Sequence, residues 1–246
     1  MEFELLAFGL ITGFTSGFFG IGGGSILIPM LLVAGFAMKE AVAISIMQMV
    51  FSSIYGSFLN SKKIKGLFRD GIILGVGASV GGLFSGYFLP SIPDIYLQYL
   101  FIAVLIYTIY TLFKAPASQE VIQEDKNIFL LAFIGFCVGI FAMSIGIGGS
   151  LMLLPILVQF LKYDLKIATA LGLFFVIFSS IGGFISTSLY GNMLYYEGAI
   201  IGIGSLIGVY FGIKIKEKTK STSYKKFVLL LNLFVLATMI YKTVEF

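Results

Sequence analysis

Apolar residues fill this chain in long blocks, and the polar positions fall between the blocks rather than alternating inside them. Six blocks, near residues 41–60, 67–89, 95–113, 167–190, 194–213 and 226–243, hold the roughly 20 apolar residues that one helical crossing of a bilayer needs. Two more, residues 3–36 and 128–161, are as apolar but are cut by glycine runs. Glycine is a poor helix residue, so a helix that meets such a run and then resumes is expected to fold back as a hairpin. The second arm, Ser25 to Gly35 or Ser150 to Leu161, rises only about 17 Å at 1.5 Å per residue, against a hydrocarbon core of about 30 Å. Such an arm does not cross alone. The pattern predicts an all-α polytopic membrane protein.

The blocks repeat. Gly20-Ile21-Gly22-Gly23-Gly24-Ser25, followed by Pro29, aligns without gaps on Gly146-Ile147-Gly148-Gly149-Ser150-Leu151, followed by Pro155, at a separation of 126 residues. Gly9 and Gly13 fall on Gly135 and Gly139 at the same separation. At 127 residues, Phe51-Ser52-Ser53-Ile54 matches Phe178-Ser179-Ser180-Ile181, and Gly71, Gly75, Gly77 and Gly81 match Gly198, Gly202, Gly204 and Gly208. The expected organisation is a first transmembrane repeat over residues 1–113, a polar linker over 114–127 containing Pro116, Glu120, Glu124, Asp125 and Lys126, and a second repeat over 128–246. Each repeat is a glycine-broken helical hairpin plus three transmembrane helices.

Charge sets the orientation, because cytoplasmic loops retain Lys and Arg. The connection between the first two ordinary spans carries Lys62, Lys63, Lys65 and Arg69 in repeat one but only Glu197 in repeat two. The next connection carries only Asp94 in repeat one, whereas in repeat two it carries Lys214, Lys216, Lys218, Lys220, Lys225 and Lys226. Equivalent loops therefore face opposite sides, which gives two inverted-topology repeats with an odd number of crossings each. With the hairpins returning to the side they left, loops 60–70, 114–127, 161–167 and 214–226 lie inside with 14 of the 16 basic residues, and Lys39 and Lys242 lie outside with both chain ends. The first apolar run is preceded by Glu2 and Glu4 rather than by lysines, so it is expected to stay in place rather than to be cleaved as a signal peptide.

Composition removes whole classes of function. Hydrophobic residues make up 59% of the chain and charged ones 11%, where a soluble domain carries roughly 25%. The absence of histidine takes away the usual general base and the commonest metal ligand, and a single cysteine, Cys137, excludes disulfide frameworks. No enzyme activity, metal or cofactor is expected. The net charge of +4 is accounted for by loop retention, so no nucleic-acid partner is expected either. The glycine runs lack a following Gly-Lys-Ser/Thr and any alternation of soluble strands and helices, which argues against nucleotide binding.

Short glycine-broken helices at matching places in two inverted repeats point to a transporter site near the bilayer midplane. Backbone within a membrane leaves helical geometry only where protein or a water-filled cavity satisfies it, and the helix that resumes after the break aims free amides and its positive dipole end at the gap. Gly22, Gly23, Gly24 and Ser25, with Gly148, Gly149 and Ser150, are thus candidates to hold one small anion between them. The competing reading is that these glycines only permit tight hairpins. On the span after the first hairpin, Ser45, Gln48, Ser52 and Tyr55 fall on one helical face, and their counterparts are Gly172, Phe175, Ser179 and Gly182. Gln48, Ser52 and Ser179 therefore join the candidate substrate-binding set, with hydrogen bonding between helices as the alternative. No Asp, Glu, Lys or Arg falls at a predicted span centre, which disfavours proton relays and cation carriers. Small-xxx-small pairs such as Gly9 with Gly13 and Gly208 with Gly212 suit helix packing within the chain, and they leave a homodimer contact open.

The segment Gly-Phe-Phe-Gly-Ile-Gly-Gly-Gly-Ser ending at Ser25, its echo Gly-Ile-Gly-Gly-Ser ending at Ser150, and Ala41-Val42-Ala43 and Ala168-Thr169-Ala170 opening the next spans resemble the sulfite exporter TauE/SafE family of membrane permeases. The resemblance extends over both repeats. It implies a multi-pass carrier in the inner membrane of a bacterium or archaeon, moving a small sulfur oxyanion or organosulfonate such as sulfite or sulfoacetate. A secondary transporter exporting such an anion by alternating access is therefore the expectation, and an anion channel or a non-transport membrane scaffold is the alternative. The lipid bilayer and a small anionic substrate are the expected partners.

Overall fold

The computed structural model describes residues 2–60, 68–114, 127–163, 165–191, 193–219 and 221–245. Every regular element among them is helical: α1 (Glu2–Phe19), α2 (Gly24–Val33), α3 (Met38–Asn60), α4 (Phe68–Phe88), α5 (Asp94–Lys114), α6 (Ile128–Ser144), α7 (Ser150–Pro155), α8 (Leu165–Tyr190), α9 (Tyr195–Lys218) and α10 (Ser221–Glu245). A π turn over Ile156–Phe160 extends α7. Helices α3, α4, α5, α8, α9 and α10 are long and apolar enough to span a bilayer. The chain is an all-α polytopic membrane protein, with three long helices after each glycine-broken hairpin. Lys62, Lys63, Lys65 and nearly all of the 114–127 linker lie outside the described residues.

The helices of the two repeats interleave. Helix α1 packs along α9 and its counterpart α6 along α4, while α3 packs on α9 and α8 on α4. The two middle helices α3 and α8 meet each other, as do the outer pair α5 and α10. Each contact is thus matched by the one obtained on exchanging the repeats. Small residues set how close the backbones come, as expected where lipid gives apolar helices no hydrophobic reason to associate. A methyl group built on Gly9 would stand 2.4 Å from the Ile201 carbonyl oxygen, and one on Gly208 2.2 Å from that of Leu10. At the matching α4–α6 contact, a methyl on Gly135 would stand 2.2 Å from the Leu74 carbonyl oxygen and one on Gly81 2.2 Å from that of Phe136. The small-xxx-small pairs are filled by packing inside one chain.

Two local features differ from the sequence expectation in ways that matter for the site. Helix α9 runs on to Lys218 and α10 starts at Ser221, so most of the expected 214–226 loop is helical. Lysine is a good helix former, and its long stem lets these helices continue past their apolar stretch. Lys216 consequently lies within the helix bundle, 2% exposed. In the second hairpin, Pro155 cannot donate to the Leu151 carbonyl; the Thr108 hydroxyl of α5 donates to that oxygen instead, at 3.3 Å. Away from the helices, Tyr163 is buried in the connection before α8 and donates its hydroxyl to Asp70. Burial, and then that hydrogen bond, push its phenol above the usual range.

Candidate anion site at the paired glycine breaks

Helix α1 ends at Phe19 and the chain passes through Gly20, Gly22 and Gly23 with φ of 71°, 80° and 81° before α2 begins. The second break repeats this, with Gly146, Gly148 and Gly149 at 67°, 89° and 70°. A side chain in the left-handed region costs about 1–2 kcal/mol, so the glycine spacing shared by the two repeats is a record of one backbone path used twice. Gly23 and Gly149 occupy the N-cap positions of α2 and α7 and offer no capping side chain. Among the described residues, the amides of Gly22, Gly23, Gly24 and Ser25 have no backbone acceptor.

The two breaks meet in the centre of the fold. A methyl group on Gly148 would lie 2.5 Å from Met49 Sδ and 3.5 Å from Gly22 Cα, and one on Gly22 would lie 3.3 Å from the same sulfur. Gly23 is flanked by both amide atoms of Gln48 and by the Thr12 carbonyl, each 3.0 Å from such a methyl. At the matching place in repeat two, Gly149 faces the ring of Phe175. The repeats also exchange a serine. In repeat one the hairpin has Gly24 and the following helix Ser45, whose hydroxyl donates to the Gly146 carbonyl at 2.7 Å. In repeat two the hairpin has Ser150 and the helix Gly172, where a methyl would stand 2.8 Å from Ser150 Cβ. Each glycine makes room for the serine opposite it.

Gly22, Gly23, Gly24, Ser25, Gln48, Gly148, Gly149 and Ser150 are therefore brought together. Both amide atoms of Gln48 and the hydroxyls of Ser25 and Ser150 are buried without a protein hydrogen-bond partner. Leaving a buried amide unpaired costs about 1–3 kcal/mol, and Gln48 on α3, Ser25 in α2 and Ser150 in α7 each carry polar atoms left without an internal partner. Ser52 and Ser179 sit differently. Each lies one turn further along α3 or α8 and donates to its own helix, to the Met49 carbonyl at 3.4 Å and the Val176 carbonyl at 3.3 Å. Met49, whose sulfur lies against both breaks, was not a sequence candidate: an apolar side chain among apolar ones carries no signal until the fold brings the repeats face to face.

Six long apolar helices and two glycine breaks that meet in the fold define the class, the all-α polytopic membrane proteins. Residues 5–239 match the family model described as Sulfite exporter TauE/SafE, and the chain belongs to that family of membrane transporters. The probable membrane transporter protein MJ0441 of Methanocaldococcus jannaschii is 29% identical over 242 residues, covering 89% of this chain and 90% of that protein. The probable membrane transporter protein YdhB of Bacillus subtilis is 25% identical over 210 residues, covering 83% of this chain and 86% of its own. The corresponding values for YunE of the same organism are 23% over 245 residues, 87% and 90%. No solved structure matches the chain.

Proposed function

We propose that the protein is a secondary transporter in a prokaryotic inner membrane, exporting a small sulfur oxyanion or organosulfonate of the sulfite or sulfoacetate kind by alternating access. The observation that carries this reading is that the two glycine breaks meet, while the Gln48 amide beside Gly23 and the Ser25 and Ser150 hydroxyls at the starts of α2 and α7 are buried without a protein partner. The amide N–H groups at the start of α2, the Gln48 Nε2 group and the positive end of the helix dipole suit an anion, and the serine hydroxyls can donate to it as well. The family name points to the same substrate class.

In this mechanism the two repeats have inverted topology, with the basic connections and the linker in the cytoplasm. The anion enters between the breaks as Met49 swings aside; Gln48 Nε2 and the first amides of α2 donate to its oxygens, and Ser25 and Ser150 add hydroxyls. Ser52 and Ser179 re-aim their hydroxyls from their own helices to pass the ion along α3 and α8. The enclosure of the site, with Gln48 completely buried and Ser25 and Ser150 1% exposed, suits a carrier that opens to one side at a time better than a continuous pore. An inside-negative potential favours loss of one negative charge by about 2.3 kcal/mol per 100 mV, so uncoupled electrogenic efflux is thermodynamically sufficient.

The test is flux through proteoliposomes for sulfite, thiosulfate, sulfoacetate, taurine and sulfate under an imposed potassium diffusion potential. Saturable, potential-dependent flux of at least one sulfur anion is expected. Unitary currents in planar bilayers at channel rates would replace the carrier with an anion channel, and flux that ignores the potential but follows a pH gradient would replace electrogenic efflux with proton coupling.

A further inference from the structure

Lys216 is buried on α9, and its ammonium donates to Thr169 Oγ1 at 2.7 Å. The same nitrogen lies 5.8 Å from the ring centroid of Tyr224, whose hydroxyl donates to the Phe19 carbonyl at 2.8 Å. Phe19 is the last residue of α1, and the Thr169 carbonyl is 2.5 Å from where a methyl on Gly20 would stand. A cation is thus held against the first glycine break. From Thr169 the face of α8 continues through Gly172, against Gly20 and Ser150, to Val176, against Gly22. Thr169, the hydrogen-bond partner of Lys216, therefore stands three residues, about 4.5 Å along α8, from Gly172 and the Ser150 it faces.

The pseudo-symmetry shows that the fold itself does not require this cation. At the separation of 127 residues that relates the long helices, Lys216, Thr169 and Tyr224 correspond to Leu89, Val42 and Leu97. These three are buried in one apolar cluster, and Val42 backs Gly146 as Thr169 backs Gly20. The same architecture is built once with three aliphatic side chains and once with an ammonium, a hydroxyl and a phenol. Leu89 also lines a cavity of about 310 Å³ together with Lys39, Glu40 and Thr187. Its counterpart Lys216 lies near the end of α9, on the flank that also carries Lys214 and Lys218. A buried lysine in a membrane protein is costly and marks an ion pathway.

We propose that Lys216, positioned by Thr169 and Tyr224, is a one-sided cationic station that takes a small oxyanion at the cytoplasmic flank and delivers it to the glycine breaks. The inference rests on the transport reading above and adds to it a residue and a direction: the cytoplasmic face binds the anion more tightly because that flank has a buried ammonium where the other has Leu89. The amine releases Thr169 to meet an anion oxygen, and the hydroxyl then donates to the same ion.

The experiment measures half-saturating concentrations of sulfite and sulfoacetate from each face, in proteoliposomes of known orientation, for wild type, Lys216→Met, Lys216→Arg and Thr169→Val. Lys216→Met is expected to raise the value at the cytoplasmic face about tenfold or more, the effect of losing a hydrogen bond to a charge, with little change at the external face. Lys216→Arg should stay close to wild type and Thr169→Val should fall between. An unchanged cytoplasmic value in Lys216→Met, or an equal rise on both faces, overturns the proposal in favour of a structural lysine. Should Lys216→Met fail to fold, Thr169→Val decides: it leaves the charge and the helix surface in place, and an unchanged cytoplasmic value in it overturns the proposal as well. Wild-type protein that carries neither probe, nor thiosulfate, taurine or sulfate, would instead refute the sulfur-anion reading on which the proposal stands.

Discussion

Replacing Gln48 by methionine separates a binding residue from a structural one by the signs of two measurements. The side chain is completely buried and neither amide atom has a protein partner, so the ligand-free protein carries the desolvation cost of an amide, about 1–3 kcal/mol. Methionine has nearly the same length and shape and no polar group to desolvate. Gln48→Met should therefore raise the unfolding free energy of the ligand-free protein by a similar amount. The same change removes a donor to an anion, worth about 1.5–3 kcal/mol, or roughly a ten- to 150-fold loss of affinity. The assay is thermal unfolding in detergent across a sulfite or sulfoacetate titration, because a ligand at a hundred times its dissociation constant stabilises the folded state by about 2.7 kcal/mol. The variant should melt higher than wild type without ligand and gain less from it. A variant that melts lower and responds normally would show that Gln48 holds the helices together and binds nothing, and the site would lose its only amide side chain.

Other consequences follow from the same geometry. Gly149→Ala places a methyl 2.3 Å from Phe175 Cε1 on a residue with φ of 70°, so it should lower the melting point and the monodisperse yield, and adding Phe175→Leu should recover part of both. Ser45→Ala orphans the Gly146 carbonyl, a cost of about 1–3 kcal/mol, and should be read out as lowered thermal stability with substrate affinity affected only secondarily. In a Cys137→Ser background, Lys218→Cys should react with an impermeant thiol reagent only from the cytoplasmic face and Glu4→Cys only from outside; the reverse labelling would reject the assigned orientation.

The six long helices and the paired hairpins were legible in the sequence because a bilayer imposes a length on every crossing and glycine runs interrupt that length visibly. The serine exchange was half legible. The differing pairs Gly24 with Ser150 and Ser45 with Gly172 are plain in the alignment, but that one compensates the other needs the crossing of repeats in space. Ser52 and Ser179 show the limit of a helical stripe: facing inward is a matter of period, whereas the choice between a ligand and the helix's own carbonyl is a matter of hydroxyl rotation. Lys216 was hidden by its company. Set among five other lysines at the end of a span it reads as loop charge, and only the three-dimensional fold turns it inward onto Thr169.

The most direct test is the position of a bound anion. Selenite replaces sulfur by an atom with strong anomalous scattering, so a crystal of the wild-type protein grown with selenite locates the ion without reference to any docking argument. The account predicts an anomalous peak between the two glycine breaks, within hydrogen-bonding distance of Gln48 Nε2 and the first amides of α2, with Met49 displaced. A protein shown to transport selenite whose anomalous peak lies elsewhere, with Gly22 and Gly148 still in contact across Met49, would contradict it.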